Sequence, residues 1–177
     1  MLSSLIQKDV KQPLSIEMLA KLVPNYCGTA FYDDLAKYKT LTAALGGKKC
    51  LVVLYNIHDN KKNKLNQAGH FVLINTMGGG VEYFSSSGWS VGKELDITKS
   101  DPEIFKRLLG RNYTQNYKPL EKVGDSNDCW RFCLARAILA KMPLKDFQKL
   151  FSHNLHLTNA DNIVTLMTML LVSIHSD

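Results

Sequence analysis

The sequence predicts an α+β domain, in which a small, largely antiparallel β-sheet carries helices packed around it. Short runs of β-branched and aromatic residues, each of strand length, lie at 50–57, 70–76 and 81–84. Segments with apolar residues at helical spacing stand before and after these runs. The 177 residues suffice for one domain with its own core, and we expect 1–177 to form a single unit.

The elements follow in order along the chain. A helix is predicted over 15–23, where a serine of N-cap type begins it and Pro24 ends it. Residues 26–28 are predicted to turn, and 33–45 to be partly helical. The run at 50–57 is predicted to be a buried strand.

The next two strands form a hairpin across the triple glycine at 78–80. Beyond them we expect a helix over 102–110, which has proline at its first position, and an extended segment over 113–123. Three helices complete the chain, at 129–142, 143–151 and 159–174. The predicted division is a mostly helical N-terminal part (1–47), a part with the sheet and the 129–142 helix (48–142), and C-terminal helices (143–177).

The composition excludes several classes of protein. No apolar run reaches the roughly 18 residues of a membrane span, and the first residues lack the features of a secretory signal. The four cysteines contain no CxxC pair, so we expect a reducing compartment, no disulfide framework and no metal or cofactor. The net charge of +6 permits an acidic partner without requiring one.

A polar run at 125–128 stops at Cys129, where an apolar-periodic segment begins. All four residues of the run are N-cap types, so Cys129 is predicted to lie in or just before the first turn of a helix. The positive end of a helix dipole stabilises a thiolate, which is the nucleophilic form of cysteine. Cys129 is therefore a candidate nucleophile.

A candidate base lies upstream, where His70 opens an apolar strand after Gly69. A lone histidine in such a place is more often structural than catalytic. A cysteine at a helix start combined with a histidine at a strand edge is, however, an arrangement of cysteine proteases. The pair predicts nucleophilic catalysis by Cys129 with His70 as general base.

Three segments together resemble the adenovirus maturation protease and SUMO-protease superfamily: 69–73, 83–89 and 126–133. The resemblance covers about 50–142 and is closest to viral members, including virophage proteases. It implies the cysteine-protease fold of that superfamily, with site residues in the chain order histidine, acid, cysteine.

The acid position of the resemblance falls on Ser85. A serine hydroxyl can accept a hydrogen bond from an imidazole and fix its tautomer, but it carries no charge to offset an imidazolium. Glu82, three residues earlier, is expected to point to the opposite face of the strand. The predicted catalytic residues are Cys129, His70 and Ser85.

The glutamine that supplies the oxyanion hole in this superfamily has no counterpart, since Lys122 and Val123 stand at its place. Lys122 and Asp128 are predicted to serve the oxyanion instead. The segments beside the pair are predicted to line the substrate cleft, with Gly69, Phe71 and Trp130. Phe71 replaces a tryptophan of the family, and Trp130 replaces a glycine.

The resemblance implies a viral cysteine endopeptidase that cleaves capsid or core precursor proteins at glycine-containing sites during virion maturation. Its substrate is a polypeptide, no membrane or cofactor is involved, and we expect a monomer. Enzymes of this type are helped by DNA or a peptide, with which the positive charge is compatible. The expected location is a virion, or the cytoplasm, viral factory or nucleus of a host cell, without secretion.

Alternatives remain open. A catalytically degenerate relative would act as a binding module, and a SUMO- or ubiquitin-like deconjugase would share the mechanism. Ser90 lies in a Gly-x-Ser-x-Gly pattern after a strand, as in serine hydrolases, although 93–97 does not begin a clear helix. Zinc binding by Cys129 and Cys133 with His153 and His156 is a further alternative, but these residues do not have a recognisable zinc-site spacing.

Overall fold

A computed structural model describes residues 16–55, 69–121 and 128–151, together with 160, 163–165 and 167–169. Its centre is a five-stranded sheet whose strands lie side by side in sequence order. The three middle strands are antiparallel to one another, and each edge strand is parallel to its neighbour. The predicted α+β class is confirmed.

The strands are β1 (Cys27–Phe31), β2 (Cys50–Tyr55), β3 (His70–Asn75), β4 (Val81–Ser85) and β5 (Tyr113–Gln115). The helices are α1 (Ile16–Leu22), a 3-10 helix (Asp33–Lys37), α2 (Leu41–Leu45), α3 (Val91–Thr98), α4 (Pro102–Leu109), α5 (Cys129–Ile138) and α6 (Leu144–Lys149).

Alternation along the strands builds two apolar cores, one on each face of the sheet. Val52 and its partner Leu73 belong to the core beneath α5 and α1. Val53 and its partner Val72 belong to the opposite core, which α3 and α4 cover. Nearly every side chain of α5 is buried, as expected for a helix enclosed by the sheet and other helices.

Three predictions about elements are wrong in whole or in part. Of the turn predicted at 26–28, Tyr26 does lie in a turn, which the Cys27 N–H closes on the Pro24 carbonyl at 2.8 Å, but Cys27 and Gly28 begin β1 and pair with β2. The segment after Ser90 does begin a helix, α3, with Ser90 as its N-cap. The strand predicted over 113–123 is only three residues long.

The early end of β5 has a specific cause in Asn116. Its side-chain Oδ1 accepts a hydrogen bond from the Ser85 N–H at 2.9 Å, and its Nδ2 donates to the Ser85 carbonyl at 2.5 Å. A side-chain amide thus takes over the pairing of the last β4 residue, which frees the following backbone to leave the sheet.

The predicted helices at 102–110 and 143–151 are confirmed, with Asp101 capping the first. Positions 160, 163–165 and 167–169 are helical, and the rest of the predicted 159–174 helix lies outside the described residues. No helix in the described ranges is both long and apolar enough to cross a membrane. The division of the chain at 47/48 and 142/143 stays a prediction.

Candidate active site

Cys129 is the first residue of α5 and is buried, with 9% of its surface exposed. Asp128 occupies the N-cap position, as predicted, but its side chain does not cap the helix. Its carboxylate accepts a hydrogen bond from Arg131 Nε at 3.0 Å, and Arg131 also reaches Thr168. The start of α5 is therefore fixed by a buried ion pair, with Cys129 at the positive end of the helix dipole.

His70 is the first residue of β3 and pairs with Tyr55 on β2. The residue before it must be glycine, because a Cβ at Gly69 would lie 2.6 Å from the Tyr55 carbonyl oxygen and would overlap the Leu54 side chain. The close approach of two backbones thus sets the position of the imidazole at the strand edge.

The side chains of His70 and Cys129 interact, and this interaction acts to raise the pKa of the imidazole. On its other side, His70 Nε2 lies 3.2 Å from Ser85 Oγ and 3.1 Å from Glu94 Oε1. Because Nε2 faces these two oxygens, Nδ1 is the nitrogen available to the Cys129 thiol. The beginning of β3 and the start of α5 therefore lie next to each other at the His70 imidazole.

Burial acts to lower the pKa of His70, because it disfavours the charged ring. The hydrogen bonds with Cys129 and then Glu94, together with their negative charges, act in the opposite direction and prevail. The pKa of His70 is consequently raised well above its ordinary value. This environment favours an imidazolium beside Cys129.

Ser85, predicted at the acid position, does lie against His70 and is fully buried. Sequence reasoning missed Glu94, whose Oε1 accepts a hydrogen bond from Ser85 Oγ at 2.5 Å. A signal was present: Val91, Glu94, Leu95 and Thr98 have the i, i+3, i+4, i+7 spacing of a buried helix face. A glutamate on such a face needs a partner inside the protein.

A second missed residue is Trp89, whose half-buried ring lies 6.0 Å from the His70 ring between centroids. The ammonium of Lys93 lies over this indole, 4.5 Å from its centre. Trp89 thus forms one wall beside the imidazole, where an aromatic face carries a positive charge.

The loop after β4 is bound to the segment that leads to Cys129. Ser87 Oγ donates a hydrogen bond to Glu121 Oε1 at 2.7 Å. Gly88 has a φ of 65° and packs so tightly that a Cβ would lie 2.6 Å from the Pro119 nitrogen. Burial raises the pKa of Glu121, and the nearby charge of His70 partly opposes this effect.

The remaining predicted site residues are placed as follows. Phe71 and Trp130 are 4% and 5% exposed in the core beneath α5, so they do not line an open cleft as predicted. They are buried because alternate β3 residues and the start of α5 face the same core. Gly69 is half-buried beside His70. Lys122 lies outside the described residues.

The prediction that Asp128 serves the oxyanion fails for its side chain, because a carboxylate paired with Arg131 accepts hydrogen bonds and cannot donate one. A role for the backbone N–H groups at the start of α5 stays a prediction. Ser90 accepts a hydrogen bond from the Lys93 N–H at 3.3 Å and so acts as a helix cap.

The four cysteines are free and buried, and burial raises the pKa of Cys133. Within the described ranges, no group of three or more His, Cys, Asp or Glu residues could hold a metal ion. His153 and His156, weighed as zinc ligands, fall outside those ranges.

No protein-family model and no curated protein matches the sequence. Among solved structures, the chain is similar to ChlaDub1 from Chlamydia trachomatis, with a TM-score of 0.49 and 12% identity over 95% of this chain and 94% of that chain. It is also similar to the C-terminal Ulp1 protease domain in complex with Smt3, the yeast orthologue of SUMO, with a TM-score of 0.36 and 12% identity over 97% and 95% of the two chains. Identities this low leave the activity to be argued from the geometry of the site.

Proposed function

We propose that the protein is a cysteine protease, with Cys129 as nucleophile and His70 as general base. The observation that carries this proposal is an imidazole that interacts with a cysteine at a helix start and whose Nε2 lies 3.1 Å from a buried carboxylate. Such a relay of nucleophile, base and orienting group is the arrangement that acyl transfer by a thiol requires.

The proposed reaction begins with transfer of the Cys129 thiol proton to His70, which gives a thiolate and an imidazolium. The thiolate attacks a peptide carbonyl carbon, and backbone N–H groups at the start of α5 stabilise the resulting oxyanion. His70 then gives its proton to the leaving amine as the carbon–nitrogen bond breaks. Water, deprotonated by His70, hydrolyses the thioester and restores the thiol.

The substrate side of the proposal is a polypeptide with an extended, glycine-containing segment. It is supported by the resemblance of segments 69–73, 83–89 and 126–133 to viral maturation proteases. The same resemblance supports capsid or core precursors as substrates, an activating DNA or peptide, and a location in a virion or infected cell. Hydrolysis of a conjugate to a ubiquitin-like protein would use the same steps and differs only in the amine released.

The test compares wild type with Cys129→Ala and His70→Ala on two substrate panels: fluorogenic peptides with glycine before the scissile bond, and ubiquitin-like proteins with a fluorogenic amide at the C-terminus. We expect both variants to lose about 10³-fold or more in kcat/KM on whichever panel is cleaved. The preferred panel distinguishes an endopeptidase from a deconjugase.

Ser90→Ala serves as the matched control, because it removes the other candidate nucleophile. Full loss in Ser90→Ala with retained cleavage in Cys129→Ala would replace the proposal with a serine hydrolase. Labelling by iodoacetamide separates the enzyme from a binding module. Cys129 in the enzyme reacts quickly and only when His70 is present, whereas in a binding module it reacts as slowly as Cys27.

A further inference from the structure

We propose that Glu94, a residue of α3, is the positioning carboxylate for His70, and that Ser85 at the end of β4 fixes the geometry between them. This inference rests on the proposed function of Cys129 and His70. It relocates the acid from the strand end, where the resemblance places it, to the neighbouring helix.

The hydrogen-bond geometry assigns the protons. Ser85 Oγ lies 2.5 Å from Glu94 Oε1, and a carboxylate can only accept, so the single hydroxyl proton of Ser85 points to Glu94. Ser85 therefore presents a lone pair to His70 Nε2 at 3.2 Å, and the proton between them belongs to Nε2. This tautomer leaves Nδ1 as the acceptor for the Cys129 thiol.

Glu94 also contacts the imidazole directly, at 3.1 Å from Oε1 to Nε2. Its side chain has no exposed surface, and within the described ranges His70 is the one basic group with which it forms an ion pair. Its second oxygen, Oε2, is buried and has no hydrogen-bond partner there. A buried carboxylate in this state is best compensated when His70 becomes an imidazolium, which happens as Cys129 loses its proton.

Other titratable groups face this pair from the elements around it. They are Tyr55 from β2, Tyr83 from β4, Cys129 and Cys133 from α5, and Glu121 from the segment after β5. Burial raises the pKa of both tyrosines, which keeps them neutral at physiological pH. The positive charge of the His70 imidazolium is thus balanced by the Glu94 carboxylate and by the Cys129 thiolate.

The experiment measures the rate of Cys129 alkylation by iodoacetamide from pH 5 to 9, which requires no substrate. Glu94→Gln keeps the shape of the side chain and removes its charge. We expect alkylation at pH 6 to slow about tenfold, with the half-maximal rate moved upward by about one pH unit, because the imidazolium loses its counter-charge. Where a peptide substrate is cleaved, kcat should fall about 100-fold with little change in KM.

Asp96→Asn is the matched control, since it makes the same change of charge on the exposed face of the same helix. Its alkylation profile should equal that of wild type. Ser85→Ala keeps the direct contact between Glu94 and His70, so we expect a loss of only about tenfold in kcat. Ser85→Ala costing more than Glu94→Gln would overturn the inference in favour of the serine.

A Glu94→Gln profile that coincides with the wild-type profile would also overturn the inference. The proposed function fails separately, through cleavage that survives in Cys129→Ala. An inactive Cys129→Ala together with a fully active Glu94→Gln would refute the role of Glu94 and leave the proposed function in place. Circular dichroism of each variant verifies that the fold is retained before the kinetic comparison.

Discussion

Glu82 and Glu94 are two buried glutamates on opposite faces of the sheet. Glu82 is paired with an arginine, whereas Glu94 is paired with a histidine. Glu82, on β4, receives two hydrogen bonds from Arg136 of α5, at 2.8 Å to each carboxylate oxygen. Glu94, on α3, meets His70 and Ser85 through one oxygen and leaves the other without a partner in the described ranges.

The difference separates a structural pair from a pair suited to chemistry. Arginine keeps its charge at any physiological pH and matches both oxygens of a carboxylate, so the Glu82–Arg136 pair is saturated and constant. Histidine changes charge within the physiological range, so the charge of the Glu94–His70 pair varies with its proton. An incompletely satisfied carboxylate costs stability, and a role in tuning the imidazole is a physical reason for its presence.

The largest expected change in the free energy of unfolding comes from breaking the Glu82–Arg136 pair. Arg136→Met should lower the free energy of unfolding by about 3–5 kcal/mol, because it leaves the Glu82 carboxylate buried without a counter-charge. Urea denaturation measures the change. The double variant Glu82→Leu/Arg136→Met should recover most of the loss. Equal destabilisation of the single and double variants would show that lost packing, and not the orphaned charge, is responsible.

A smaller effect is expected from the titrating pair as the pH changes. The raised pKa of His70 in the folded protein adds stability that is fully present below about pH 6.5, the unfolded value, and is lost as the pH rises through the folded value. Urea denaturation of wild type and Glu94→Gln from pH 5 to 9 gives the free energy of unfolding as a function of pH. The difference between the two proteins should therefore become smaller at alkaline pH. Parallel curves would contradict an interaction between Glu94 and the imidazolium.

The smallest effect is expected for a third acid–base pair, which is exposed. Lys106 Nζ lies 2.9 Å from Glu103 Oε1 on the surface of α4, with 73% and 63% of the two side chains accessible. Glu103→Gln should change the free energy of unfolding by less than about 1 kcal/mol, because water and salt screen the pair. A loss as large as that of Arg136→Met would show that the kind of pair matters less than we infer.

Much of the fold follows from local pattern. The short runs of β-branched and aromatic residues predict the three middle strands, and the polar run before Cys129 predicts that this residue lies at a helix start. Two of the failed predictions are those in which the deciding contact is distant in sequence. Cys27 becomes a strand residue only because β2 lies beside it, and β5 ends at Gln115 because Asn116 binds Ser85, 31 positions away.

The site divides in the same way. Residue chemistry and local position nominated Cys129 and His70, because the start of a helix and the start of a strand are local features, and the family resemblance added Ser85. Only the tertiary structure showed that Glu94 reaches His70, since the sequence gives the face of α3 that is buried but not what that face meets. The partner of a buried charge is determined by how the helices and strands pack against each other, which a local sequence pattern does not predict.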